Sequence, residues 1–343
     1  MKACKPLFML EKPAIPDEAI ISYAQHEYGF PRARLTFLPL GYDVNTAVYR
    51  LEAQDGIPYF LKLRKGTFDE LVVSLPKYLS DQGLKAVIPP LETRANRLWG
   101  ELGEYKLILY PYIEGLNGYE TPLSETQWQA FGTALRAIHT AKIPTSLLAR
   151  IPRETYSPHW RESVKEFQVR VEVDAFDDPA AASLAAFMRA QSKTIKQVVN
   201  RAEQLAASLR ARTIDFTLCH SDIHPGNLHI SPGGAIYIVD WDNPLLAPKE
   251  RDLNLIGGGG LGPWRSTQEG ELFYKGYGPA EIDPQALSYY RYERIVVDMA
   301  EFCKQLILTS EGGEDREQSY QYFTGQFAPG ADIHTAVRND IRK

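Results

Sequence analysis

Apolar side chains recur at helical spacing over residues 17–29, opened by Asp17 and stopped by Gly29. The pattern then changes. Residues 35–40 form an apolar run that ends at Gly41. Residues 46–52 alternate and are rich in β-branched and aromatic side chains. Gln54-Asp55-Gly56 is a turn signal, and the alternation resumes over 57–63. These features predict a three-stranded antiparallel meander. A helix is expected over 68–82, closed by Gly83 and interrupted by Pro76. Residues 106–113 are a continuous apolar strand ending in Glu114-Gly115.

Beyond that point helical spacing dominates. Residues 124–141 open on Ser124-x-x-Gln127, a capping-box pair, and place Trp128, Phe131, Leu135 and Ile138 on one face. Further helices are expected over 160–172, over the Ala-rich 180–211 and over 284–309. Two short apolar strands, 216–219 and 236–239, flank a loop dense in His, Asp, Pro and Gly. The change of character near 113–120 predicts an α+β chain of two lobes. The first, 1–113, is a small antiparallel-sheet lobe, and the second, 114–343, is larger and mainly helical.

Composition narrows the function classes. A chain of 343 residues suits about two domains. Lys and Arg number 38 against 43 Asp and Glu, a net charge of −5. Such a chain has no basic excess for a phosphate backbone, so nucleic acid is not an expected partner. The acidic balance suits a cationic small molecule better. Cys4, Cys219 and Cys303 are far apart and form no CxxC pair, which fits a reducing compartment. No apolar run approaches the ~18 residues of a membrane span, and none resembles a signal segment. A cytoplasmic protein without a membrane partner is expected.

The densest chemistry lies in His220-Ser221-Asp222-Ile223-His224-Pro225-Gly226-Asn227, followed by Ile236-Tyr237-Ile238-Val239 and Asp240-Trp241-Asp242. Carboxylates and an amide oxygen at the ends of apolar strands suit a hard cation such as Mg²⁺. Protein kinases space a catalytic Asp and a metal-holding Asn as H-R-D-x-x-x-x-N. Asp222 and Asn227 have that spacing, and Asp240 falls where a second strand delivers the other metal carboxylate. A kinase site also needs a lysine on its third strand for the nucleotide phosphates. Phe60-Leu61-Lys62-Leu63 supplies Lys62, with Glu70 on the next helix as its expected acidic partner. The turn at Gly41 is the expected phosphate cover.

Other readings explain less. His220, Asp222, His224 and His229 resemble a metallohydrolase cluster, but that leaves Asn227, Asp240 and Lys62 without a role. His220 is better read as bracing the loop. The run Gly257 to Gly262 matches G-x-G-x-x-G, yet Pro263-Trp264 follows it instead of a helix. No G-x-x-x-x-G-K-[ST] occurs, which excludes a P-loop kinase.

The stretches from Cys219 to Asn227 and from Ile238 to Asp242 resemble the aminoglycoside phosphotransferase family, which has a protein-kinase-like fold. Tyr156-Ser157-Pro158-His159-Trp160-Arg161-Glu162 adds to the likeness. So do Leu246-Ala247-Pro248-Lys249-Glu250-Arg251-Asp252-Leu253 and residues 288–296, and these three stretches are similar to its spectinomycin 9-phosphotransferase branch. The resemblance implies ATP- and Mg²⁺-dependent phosphorylation of a hydroxyl on a cationic aminocyclitol antibiotic, which confers resistance. It implies Asp222 as catalytic carboxylate, Asn227 and Asp240 as Mg²⁺ ligands, and Lys62 on the phosphates. Tyr110, Tyr112 and Ile113 would form the hinge beside adenine, and Asp252 would brace the catalytic loop. Ser221 stands where glycine is common elsewhere in the family.

For the acceptor, helical spacing places Tyr290, Arg294, Asp298 and Glu301 on one face. Asp298 and Glu301 are expected to pair with the substrate amines, with Tyr290 or Trp160 packed on a ring. The bland alternative is an Arg294–Asp298 surface pair. Asp242 is expected near the metal or the substrate. A metabolic kinase of the same fold, acting on choline, methylthioribose or an amino sugar, is the second reading. A non-enzymatic nucleotide-binding regulator is the third, disfavoured because Lys62, Asp222, Asn227 and Asp240 are all present.

Overall fold

The computed structural model describes residues 12–30, 32–40, 45–257, 264, 266–309 and 313–340. Its chain divides into two compact units. One comprises Met1–Leu123, Ala141–Ile151 and Gly226–Pro244. The other comprises Ser124–Thr140, Pro152–Pro225 and Leu245–Lys343.

This grouping differs from a single cut after residue 113, for physical reasons. The strand Leu116–Asn117 pairs with Leu228–Ile230, which pairs with Ile236–Ile238, so later chain returns to the first unit. The Tyr78 hydroxyl donates to the Lys142 carbonyl at 2.6 Å, and Arg150 pairs with Asp69 at 3.0 Å. These contacts tie in 141–151.

The first unit is built on a five-stranded antiparallel sheet. Its strands are β1 (Ala33–Leu38), β2 (Thr46–Ala53), β3 (Pro58–Lys65), β4 (Gly100–Leu102) and β5 (Tyr105–Pro111), in the order β1-β2-β3-β5-β4. The expected meander is β1 to β3, and β4 is an addition that its three residues made invisible to periodicity. Leu61 and Leu63 are fully buried with Leu51, Leu107 and Leu109 against Ile20 and Ala24 of the helix Asp17–Tyr28. Side chains alternate across a strand, so Lys62 and Arg64 stand on the opposite face. On that face Val72 and Val73 of the helix Leu71–Asp81 pack on Ile108.

The second unit is helical. Its largest core gathers Pro284–Cys303, His159–Val173, Pro179–Ala190 and Ser192–Arg210. The single helix expected over 180–211 is two, broken at Gln191 with φ −97° and ψ 9°. Glu125–His139 begins at the expected capping box of Ser124 and Gln127. It lies so close to Thr267–Tyr277 that glycine is required at two points. A Cβ on Gly132 would sit 2.1 Å from the Phe273 carbonyl oxygen, and one on Gly276 would sit 1.8 Å from that of Gln129. This approach brings the last residues of the two helices, His139 and Tyr277, into contact. Among the described residues no helix is long and apolar enough to cross a membrane.

Candidate active site

Among the described residues, the charged groups singled out from the sequence gather around Lys62 in the first unit and around Asp222 in the second. In the first, Lys62 is central to the sheet, opposite Val48 on β2 and Ile108 on β5. Its side chain is only 13% exposed. The ammonium nitrogen lies 3.0 Å from Asp240 Oδ1 and 3.0 Å from Asp242 Oδ2. Arg64, two residues on and on the same face, donates to Asp242 Oδ1 at 2.9 Å. Burial opposes the charge on Lys62, but the two carboxylates outweigh it and raise its pKa. Asp242 is driven upward, first by burial, with Lys62 and Arg64 opposing.

The aspartates follow the strand Ile236–Ile238. Trp241 between them is buried and donates its indole N–H to the Ile238 carbonyl at 3.0 Å. That anchor leaves Asp240 and Asp242 on the other side of the chain, facing Lys62. Asp240 has φ +68°, a left-handed backbone unusual for a residue with a side chain. Asn227 ends a 3₁₀ turn, Pro225–Asn227, and is buried. Its carbonyl accepts from Val239 N at 3.0 Å, so the strand pair holds Asn227 beside the start of the aspartate pair. Asp240 and Asp242 offer carboxylate oxygens, and the neighbouring strand pair carries Asn227, whose side chain has an amide oxygen. The two carboxylates already hold an internal cation, the Lys62 ammonium, so the residues fit a hard divalent ion.

Glu70 does not reach Lys62. It stands just before Leu71–Asp81 without a side-chain cap bond, and accepts from the Trp99 indole at 3.3 Å. The short connection after β3 leaves Glu70 at the helix start, and Asp240 and Asp242 take its expected place. Gly41 lies outside the described residues. Tyr110 pairs across from Phe60, and burial pushes its phenol up to about 12. The Arg50 guanidinium stacks 4.7 Å from the Tyr112 ring centroid, and the Ile113 carbonyl faces His229 Nε2 at 2.9 Å.

In the second unit the centre is a carboxylate. Asp222 Oδ1 accepts from Arg294 at 2.8 Å, and Oδ2 lies 3.5 Å from His224 Nε2. Burial works against the charge on Asp222, but His224, Arg294 and His220 together hold its pKa well below the usual carboxylate range. Arg294 also pairs with Asp298 at 3.0 Å. Burial raises the Asp298 carboxyl, and Arg294 opposes the rise.

The loop itself is tied down. Asp252, fully buried on the short helix Glu250–Leu253, accepts from the backbone N–H of His220 at 2.8 Å and of Ser221 at 2.7 Å. His220 is also fully buried, and its Nδ1 accepts from Asp222 N at 3.4 Å. Among the described residues of this unit, His220, Asp222 and His224 do not bring three ligand atoms together. The group there with converging ligand atoms is His139, Cys219 and Asp252, all within 4.8 Å. That group does not suit a metal, because both Asp252 oxygens already accept backbone N–H groups and burial holds the Cys219 thiol protonated.

The expected acceptor face is only partly assembled. Arg294 and Asp298 share it with Asp222. Glu301 is exposed and pairs with Lys304 at 3.3 Å, and the Lys304 ammonium stands 4.0 Å over the Trp160 ring. Tyr290 is displaced from that face: it is 1% exposed, and its hydroxyl donates to Glu154 Oε2 at 3.2 Å. The helix Pro284–Cys303 is packed on several sides, so spacing alone could not mark one open face. The Arg294 contact to Asp222 had no signal in spacing, because the two are 72 residues apart.

Known proteins resemble this chain over most of its length. The phosphotransferase enzyme family matches residues 36–288. The crystal structure of spectinomycin phosphotransferase APH(9)-Ia in complex with ADP and spectinomycin has a TM-score of 0.87 and 36% identity. The match covers 95% of this chain and 99% of that one. Protein StrN of Streptomyces griseus is 23% identical over 251 residues, 72% of this chain and 73% of its own length. Choline kinase LicA from Streptococcus pneumoniae is 16% identical with a TM-score of 0.56, covers 90% of this chain and 97% of that one, and shares the α+β kinase-like fold. The chain belongs to the phosphotransferase enzyme family.

Proposed function

We propose that this protein transfers the terminal phosphoryl group of ATP to a hydroxyl of an aminocyclitol antibiotic, spectinomycin or a close analogue, and so confers resistance. The observation that carries the reading is the 36% identity, over nearly all of both chains, to a phosphotransferase solved with ADP and spectinomycin.

Lys62 binds the nucleotide phosphates, and its ion pairs keep it cationic despite burial. Asp240 and Asn227 are the residues that would hold Mg²⁺, with Asp242 beside them, and the ion would neutralise charge on the phosphates. Tyr110, Tyr112 and Ile113 flank the nucleotide base. Asp222 accepts a hydrogen bond from the acceptor hydroxyl and orients its oxygen for attack. Arg294 and His224 keep that carboxylate ionised, so it is a weak base that works mainly by positioning. Asp298 and Glu301 attract the ammonium groups of the acceptor, and Trp160 offers a flat wall. Phosphoryl transfer places few covalent demands on a protein, so positioning and charge are the functions these residues need to serve.

ADP release by the purified protein, with Mg²⁺ and ATP, tests the reading against a panel of acceptors. The panel contains spectinomycin, a hygromycin-type and a deoxystreptamine aminoglycoside, choline and methylthioribose. Release is expected with spectinomycin. Release with choline or methylthioribose alone would establish the metabolic-kinase reading instead.

A further inference from the structure

The loop that carries Asp222 has an unusual backbone. Ser221 has φ +70°, a left-handed conformation that glycine takes freely and a side-chain-bearing residue resists. Both of its backbone polar groups are held. Its N–H donates to Asp252 Oδ1 at 2.7 Å, and its carbonyl accepts from Arg251 Nε at 3.2 Å. Asp252 Oδ2 accepts from the His220 N–H at 2.8 Å and faces His139 Nε2 at 3.0 Å. A hydrogen on Nε2 would point at this carboxylate oxygen and fix the imidazole tautomer. That leaves Nδ1 to accept from the Tyr277 hydroxyl, 2.7 Å away. Burial keeps the Tyr277 phenol well above its ordinary pKa, so it remains a donor. The close helix crossing at Gly132 and Gly276 is what brings these two side chains together.

We propose that Tyr277 and His139 are positioning residues that hold the Asp252 carboxylate against the strained Ser221 peptide and thereby aim Asp222 at the acceptor hydroxyl. This rests on Asp222 being the catalytic carboxylate. Tyr277 fixes the tautomer of His139, His139 fixes the carboxylate, and the carboxylate holds two successive backbone N–H groups. Neither residue belongs to the sets assigned to nucleotide or acceptor, so their loss acts on kcat and spares KM. The clamp opposes the strain at Ser221, so it matters less when residue 221 is glycine.

The test is a double-mutant cycle in kcat and KM with the full chain. Tyr277→Phe and His139→Gln are measured alone and together with Ser221→Gly, with Asp222→Asn as control. Tyr277→Phe keeps the ring against Phe273, 5.6 Å between centroids, and removes only the hydroxyl. One buried neutral hydrogen bond sets the expected scale, a fall in kcat of roughly 5-fold with both KM values within about 2-fold. In the Ser221→Gly background the same change should lower kcat by less than about 2-fold. An equal fall in both backgrounds, an unchanged kcat, or a loss carried by KM overturns the clamp. If Asp222→Asn keeps wild-type kcat, the assignment of Asp222 fails. If Asp222→Asn is inactive and the cycle is additive, only the clamp fails. Should Tyr277→Phe not fold, His139→Gln closes the same cycle.

Discussion

In the first unit a cation, Lys62, sits between two carboxylates, Asp240 and Asp242. In the second a carboxylate, Asp222, sits between the Arg294 guanidinium and the His224 imidazole. Each arrangement answers the same constraint, because a charge drawn out of water must be paired or lose its ionisation. The outcomes differ in use. Pairing keeps Lys62 cationic where the proposed nucleotide is anionic, and it keeps Asp222 anionic where the proposed acceptor hydroxyl would be oriented. The Lys62 centre is locally specified: a strand lysine, then two aspartates separated by an anchored Trp241. The Asp222 centre depends on a helix residue 72 positions later, so its partner is set by packing.

The largest effects should separate these two centres. Asp240→Ala removes a carboxylate proposed to hold Mg²⁺. It should abolish turnover at any Mg²⁺ concentration while the acceptor still binds. Asp222→Asn keeps size and removes the charged group proposed to accept the hydrogen bond of the acceptor hydroxyl. It should lower kcat by at least about 10²-fold with little change in nucleotide affinity. Steady-state kinetics and nucleotide titration check both. If Asp240→Ala were active and Asp242→Ala dead, the roles of the two aspartates would be exchanged.

Arg294 is the sharper test of the second centre. It helps hold the Asp222 carboxyl below its ordinary pKa, so Arg294→Gln should raise that pKa. A depressed carboxyl is ionised down to low pH, and its pairing stabilises the fold above its unfolded pKa of about 3.9. That contribution is lost as pH falls through the folded value. With Arg294 gone, protonation comes at higher pH, and the acid limb of the kcat profile should move up. A charged hydrogen bond of about 1.5–3 kcal/mol sets the scale for kcat/KM, a fall of roughly 10-fold or more. An acid limb that stays in place would show that His224 and His220 alone keep Asp222 ionised.

The two centres also differ in how far they can be read from neighbouring residues alone. The meander, the capped helix at Ser124, the lysine on β3 and the Asp222-to-Asn227 spacing are legible, because each is fixed by neighbours within a few positions. Glu70 follows from a rule about the next helix, and the short loop after β3 defeats that rule. Tyr290 leaves the expected acceptor face because Pro284–Cys303 packs on several helices, and eleven of its twenty residues are buried. The clamp of His139 and Tyr277 leaves only one trace in the sequence, a histidine at the end of an apolar helix face. Its partner lies 138 residues on, across a crossing that glycine makes possible.

Tyr290 gives the smallest expected effect and decides between spacing and packing. If spacing were the guide, its ring would be an acceptor wall, and losing its hydroxyl would leave stability alone while raising the acceptor KM. The structure buries it in the core. Its ring lies 4.9 Å from that of Tyr289, the Arg251 guanidinium is 5.5 Å from its centroid, and its hydroxyl bonds Glu154. Burial drives the phenol pKa far up, so the hydroxyl is a donor at any working pH. Tyr290→Phe keeps the ring contacts and removes one partner of Glu154, whose other oxygen accepts from Tyr156 N at 2.6 Å. The expected cost is about 0.5–1.5 kcal/mol of stability, with kcat and both KM values unchanged. Denaturant unfolding beside acceptor titration checks it. A raised acceptor KM at unchanged stability would return Tyr290 to the pocket and overturn the packing account of this helix.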